Sequence, residues 1–191
     1  MTGRTVRRSF LPIFFAAFVA AVDPVGAVEF APGAEFDLPP PAEFNGRIEA
    51  LQLVTARHRR DVVTFEGRLS ITPDTLLLVA TDGTGRRLMT IEWRNGAFKI
   101  ERAPEVPDDL RPENVVTDIV FMYWPAEAVR RGLTRSHAEL IVGDHTRTIA
   151  LAGREILTIR YDNADPWLGT SRLHNDAWQY DVEVQSQVMS R

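Results

Sequence analysis

Residues 116–133 read Val-Thr-Asp-Ile-Val-Phe-Met-Tyr-Trp-Pro-Ala-Glu-Ala-Val-Arg-Arg-Gly-Leu, the one long segment with helical rather than alternating apolar spacing. At about 100° per residue, Val115, Val116, Ile119, Val120, Met122, Tyr123 and Trp124 fill an arc of roughly 200°. Glu113, Asn114, Thr117 and Asp118 take most of the remainder, with Phe121 stranded among them. A helix resting on one flat sheet needs only about half that apolar width. The segment is therefore expected to be covered on more than one side, as a plug inside a curved sheet would be.

Two prolines divide it. Pro112 suits a first helical turn, and Glu113 beside it favours the positive end of the helix dipole. Pro125 removes a backbone donor and disfavours the α conformation at Trp124, so the first helix should stop or kink there. It can also open a second short helix, for which Gly132 offers a left-handed stop. A core helix with a proline kink is the plainer account of the same residues.

Strand-like sequence flanks this broken helix (about residues 111–132) on both sides. Before it come segments 47–55, 62–71, 75–81, 86–93 and one around Phe98 and Ile100, with Gly67 expected as a bulge or bend and 75–81 as buried on both faces. Asp82-Gly83-Thr84-Gly85 and Arg94-Asn95-Gly96 are turn signals between them. After it come 138–142, 146–151, 156–161, a weak strand at 168–174, and 178–188. About nine to eleven antiparallel strands in one sheet tend to curl or close. The predicted fold is mainly β with a helical insert: an open half barrel with the broken helix as its lid or plug.

The ends of the chain suggest its organisation. Arg4, Arg7 and Arg8 precede a short apolar run from Phe10 to Val22, followed by small residues at Val25-Gly26-Ala27. That is the pattern of a cleaved signal peptide over residues 1–27, and an uncleaved inner-membrane anchor is the competing reading. Residues 28–43 include Pro39-Pro40-Pro41 and read as an extended arm or linker. Residues 44–191 then form a single domain.

Composition removes several functions. With no cysteine there is no disulfide framework, thiolate metal site or cysteine nucleophile. A net charge of −4 argues against a nucleic-acid partner that needs a basic face. His58, His137, His145 and His174 lack metal-site spacing, no serine sits in a glycine-flanked turn, and no glycine-rich phosphate loop opens a helix. No catalytic residue, metal or cofactor is expected. Asp118 is assigned a structural role, capping a backbone group or pairing with an arginine, because general-base chemistry would need a second titrating partner. Arg130 and Arg131 suit the negative end of a helix dipole. Arg57, Arg59 and Arg60 lie in a basic turn that either is simply solvated or touches anionic lipid headgroups.

The motifs around the helix carry a resemblance. Leu110-Arg111-Pro112-Glu113, Asp118-Ile119-Val120 and Tyr123-Trp124-Pro125 resemble the signature of an uncharacterised bacterial envelope family, and the match runs over most of the chain after about Phe44. Members are usually outer-membrane lipoproteins, often encoded in aryl-polyene pigment clusters, and are similar in layout to the LolA/LolB lipoprotein carriers. This chain departs from them in having no cysteine to carry acyl chains. The resemblance implies an incompletely closed barrel with a helical lid, here in an untethered periplasmic protein. Leu78, Ile91, Trp93, Phe98, Ile119, Met122, Tyr123 and Trp124 are then candidates to line a cavity, though the same residues would serve as plain core. The expected function is non-enzymatic: a monomer carrying a lipid, a lipoprotein acyl chain or a polyene-type product, with an outer-membrane lipid surface or envelope transport proteins as further partners. A packed barrel that binds an envelope partner without ligand is the second reading, and an enzyme acting on acyl or glycan substrates the third.

Overall fold

Residues 27–106 and 110–191 are described by a computed structural model; the expected signal segment falls almost wholly outside them. Five strands precede the helices and five follow within one sheet. They are β3 (Ile48–His58), β4 (Asp61–Ile71), β5 (Thr75–Thr81), β6 (Arg87–Arg94) and β7 (Ala97–Arg102), then β8 (Ala138–Gly143), β9 (Thr146–Leu151), β10 (Arg154–Tyr161), β11 (Gly169–Asn175) and β12 (Tyr180–Ser190). Each half is an antiparallel meander, and β3 pairs with β12 to join the halves. The ten-stranded order runs from β7 at one free edge to β8 at the other, so the sheet curls without closing into a barrel.

That order explains where the helices go. The chain leaves one edge of the sheet at β7 and re-enters at the opposite edge with β8, so the connection must cross the hollow. It does so as α1 (Pro112–Tyr123) and α2 (Ala126–Leu133). Pro112 sits in the first turn of α1, and Trp124 is extended at φ −72°, ψ 153°, as the residue before a proline should be. Pro125 caps α2 at its start.

The strands alternate cleanly. Ile48, Ala50, Gln52 and Val54 of β3 face the helices, with Leu69 and Ile71 of β4, Leu76, Leu78 and Ala80 of β5, and Met89, Ile91 and Trp93 of β6 in register beside them. The 75–81 run is thus buried on one face; its outward Leu77 and Val79 are only half-buried. Gly67 is not a bulge. It pairs in register with Gln52 and Ala80, and a Cβ there would stand 3.3 Å from Leu78 Cδ1, so glycine serves close packing across the sheet.

The N-terminal arm differs most from expectation. Residues 37–40 have no regular structure; before them, β1 (Val28–Ala31) and β2 (Ala34–Phe36) form a separate two-stranded hairpin, and after them Pro41–Phe44 makes a 3-10 turn. Phe30, Ala31, Ala34 and Phe36 are buried in the main core. The alternation Val28, Phe30 and Ala34, Phe36 carries this signal, but it is too short to stand out beside three prolines. Gly132 differs too. It lies inside α2, where a Cβ would meet the Phe36 ring at 2.4 Å and the Asp37 carbonyl at 2.5 Å. The left-handed stop is His137, at φ 54°, after a further 3-10 turn.

Candidate functional site

Phe121, out of step with the rest of α1, is fully buried because the hairpin covers it. Its ring lies 4.6 Å from that of Phe36 and 5.6 Å from that of Phe30. Trp124 meets Phe44 at 5.1 Å, and Tyr123 stacks on Trp167 at 3.9 Å with the planes 15° apart. The excess apolar circumference of α1 is therefore shared among the sheet, the N-terminal segment and the loop bearing Trp167.

Polar anchors fix the helix within this apolar setting. The last carbonyls of a helix have no intrahelical partner. Here the Arg147 guanidinium of β9 donates to Phe121 O at 2.9 Å and Trp124 O at 2.7 Å, and the Tyr161 hydroxyl of β10 donates to Met122 O at 2.7 Å. Burial pushes the Tyr161 phenol far above its ordinary value, and the nearby guanidinium offsets this only in part. At the next row, Gln52 Nε2 donates to the Tyr123 hydroxyl at 3.2 Å and to Ser186 Oγ at 3.1 Å. Burial also raises the Tyr123 phenol.

Among the described residues Asp118 neither caps a backbone group nor meets an arginine. The Tyr180 hydroxyl of β12 donates to its two oxygens, at 2.9 and 3.0 Å. Part of the residue's surface remains in solvent, yet its carboxyl is enclosed. Burial pushes it up to about 7, with the Tyr180 hydrogen bond opposing the shift. Tyr180 in turn accepts a long 3.4 Å bond from Asn175 Nδ2, which also donates to Phe30 O at 3.3 Å. This chain links helix, sheet and hairpin. A neutral acid donates a hydrogen bond and a carboxylate only accepts one, so the arrangement can titrate; the acid beside it is the Tyr180 phenol, which burial and the Asp118 charge push well above its ordinary value.

Of the cavity candidates, Leu78, Ile91, Trp93, Ile119, Met122, Tyr123 and Trp124 all lie in one continuous buried core, with Phe98 half-buried at its margin, 6.0 Å from Trp93. The ring contacts recorded do not join Trp93 or Phe98 to the helix aromatics, which meet the N-terminal segment and Trp167 instead. The Trp93 indole N–H is buried without an acceptor among the described residues.

Arg57 lies at the end of β3, while Arg59 and Arg60 form the turn into β4. All three are exposed, and Val62 and Val63, just beyond, are 60% and 43% exposed. Arg130 pairs with Glu127 at 2.5 Å, and Arg131 pairs with Glu43 of the N-terminal segment. No group of three or more metal-binding side chains occurs among the described residues. No helix there is long and apolar enough to cross a membrane. Sequence reasoning missed Arg147, Tyr161, Trp167, Asn175 and Tyr180, which sit on strands and loops far from α1 in the chain.

Residues 49–188 match the family described as protein of unknown function (DUF3261). The chain belongs to the DUF3261 family. The match takes in all but the first residue of β3, both helices and nearly all of β12, so in this DUF3261 protein the hairpin and the 3-10 turn lie N-terminal to the matched residues. No curated protein matches the chain.

Proposed function

We propose that the protein is a non-enzymatic periplasmic carrier of an apolar ligand: a lipid, a lipoprotein acyl chain or a polyene-type product bound for the outer membrane. The reading rests on one observation, the unclosed sheet whose hollow is crossed by a helix with apolar residues over more than half of its circumference. Such a helix can exchange one apolar cover for another at little cost, because burial of hydrocarbon is non-directional. At about 0.8 kcal/mol per methylene, a modest hollow can hold a long chain. The resemblance to lipoproteins of aryl-polyene clusters and to the LolA/LolB carriers supports the same reading. The exposed turn of Arg57, Arg59 and Arg60 with Val62 and Val63 suits contact with an anionic lipid surface, charge holding the headgroups while the valines enter the boundary.

A second reading is favoured by a separate observation. Leu78, Ile91, Trp93, Met122 and Trp124 are each at most 3% exposed and packed against protein, as in an interaction domain that carries no ligand. Organic extraction and native mass spectrometry of protein purified from a periplasmic fraction decide between the two. A carrier yields stoichiometric apolar ligand, whereas a packed scaffold yields bare protein.

A further inference from the structure

The two free edges of the ten-stranded sheet are guarded differently. An edge strand presents unpaired backbone N–H and C=O groups that can template another strand, and charged side chains along it oppose this. β7 carries Lys99, Glu101 and Arg102 within its six residues, and its apolar side chains are all half-buried. Lys99 and Arg87 lie 3.8 and 3.9 Å from Glu101, a rim of mixed charge. β8 is also six residues long, but Glu139 is its only charged residue. Its Ile141 and Val142, on opposite faces, are 51% and 49% exposed. β8 contains no proline, pairs with β9 without a bulge, and among the described residues no strand lies beyond it.

The sequence of this edge is complementary to itself in one register. Two copies related by a two-fold axis normal to the sheet run antiparallel, with directly opposed residues on the same face. An axis through Glu139 sets like charges opposite each other, which is destabilising. Through Leu140, each Glu139 faces the other copy's Ile141; through Val142, each Leu140 faces the other copy's Asp144. Through Ile141, the two isoleucines oppose each other, Leu140 opposes Val142, and Glu139 opposes Gly143, which has no side chain to obstruct or repel it. That register alone sets apolar against apolar and keeps the two carboxylates apart. A contact between β8 and another copy's β7 would desolvate the charges of β7, and being head-to-tail it would repeat without closing.

We propose that β8 is a homodimerisation edge: two copies of the chain pair β8 with β8, antiparallel about Ile141, and join their ten-stranded sheets into one. The inference goes beyond the carrier reading and does not depend on it; it replaces the monomer expected from the sequence. Six residues per copy bury less than a standard interface of about 1,600 Å², so the dimer forms in the micromolar range and is not obligate.

Sedimentation equilibrium of the purified protein from about 1 to about 300 µM should show a reversible monomer–dimer equilibrium. Ile141→Lys sets two ammonium groups face to face on the axis and should weaken the dimer by about thirtyfold or more. The thermal midpoint of the dilute protein should not change, because Ile141 is half in solvent. The chain has no cysteine, so Ile141→Cys introduces a single thiol. Opposed Cβ atoms in such a pair lie about 4.5–5.5 Å apart, close to disulfide reach. Air oxidation catalysed by copper phenanthroline should therefore give a covalent dimer of Ile141→Cys, whereas Lys99→Cys on β7 should give little.

A parent protein that stays monomeric across that range overturns the inference, and leaves β8 to a strand of some other protein. Association insensitive to Ile141→Lys overturns it too, as does a cross-link that forms equally well through Lys99→Cys. So does association beyond the dimer, since a two-fold pairing uses up both copies of β8. If Ile141→Lys fails to fold, the comparison of Ile141→Cys with Lys99→Cys decides by itself.

Discussion

Replacing Asp118 by asparagine should stabilise the protein by an amount that grows from about pH 4 to about pH 7 and is complete above that. Asparagine keeps an acceptor for the Tyr180 hydroxyl, 2.9 Å away, and removes the charge that burial disfavours. The carboxyl is raised from 3.8 to about 7 in the folded protein, so the fold prefers it neutral. Below the unfolded value both states hold the proton and Asp118 costs nothing. Between that value and about 7 the unfolded chain ionises while the folded one does not, and stability falls steadily; above 7 the loss is complete. The shift of about three pH units corresponds to about 4 kcal/mol at 1.36 kcal/mol per unit, an upper bound. Since part of Asp118 is solvent-exposed, solvent screening reduces this to about 2 kcal/mol. In a domain of this size that raises Tm by about 4–8 °C. Thermal unfolding of both proteins from pH 4 to pH 9 should show curves that nearly coincide at pH 4, separate progressively up to about pH 7 and then run parallel. A separation independent of pH, or a variant less stable at pH 8, would refute the reasoning by showing that the carboxylate is not held in an unfavourable setting.

Arg147→Met keeps the stem of the side chain but leaves the Phe121 and Trp124 carbonyls unpaired, and should lower the urea-unfolding free energy by about 2–4 kcal/mol. An effect below 0.5 kcal/mol would mean that water satisfies the end of α1. Phe121→Ala empties the space between Phe30 and Phe36 and should cost about 3–5 kcal/mol in the same assay, far more than a surface phenylalanine would. Arg59→Ser with Arg60→Ser should weaken binding to vesicles rich in anionic lipid by about thirtyfold, at about 1 kcal/mol per arginine, with no change on neutral vesicles. Equal loss on both vesicle types would exclude the electrostatic contact.

The part of the fold that was legible in the chain was its periodicity. Alternation, with a continuous apolar run at 75–81 and the turn residues between, placed all ten strands of the sheet within a few residues, and the 3.6-residue pattern placed α1 with its excess of apolar surface, because these signals depend only on neighbours along the backbone. Pro112 and Pro125 acted locally and as expected. The excess of apolar surface on α1 also required cover on several sides before any coordinate was known. What the chain could not disclose was which elements supply that cover. Phe30, Phe36, Phe44 and Trp167 reach α1 from segments that read as arm and loop. Arg147, Tyr161 and Tyr180 acquire their roles only because β9, β10 and β12 curl towards the helix. The role of Gly132 was equally hidden, since the ring that forbids a Cβ there comes from Phe36, distant in sequence. Local patterns follow from backbone geometry and can be read in order along the chain. Burial, helix-end partners and the raised pKa of Asp118 depend on which distant surfaces meet, and only the tertiary structure decides that.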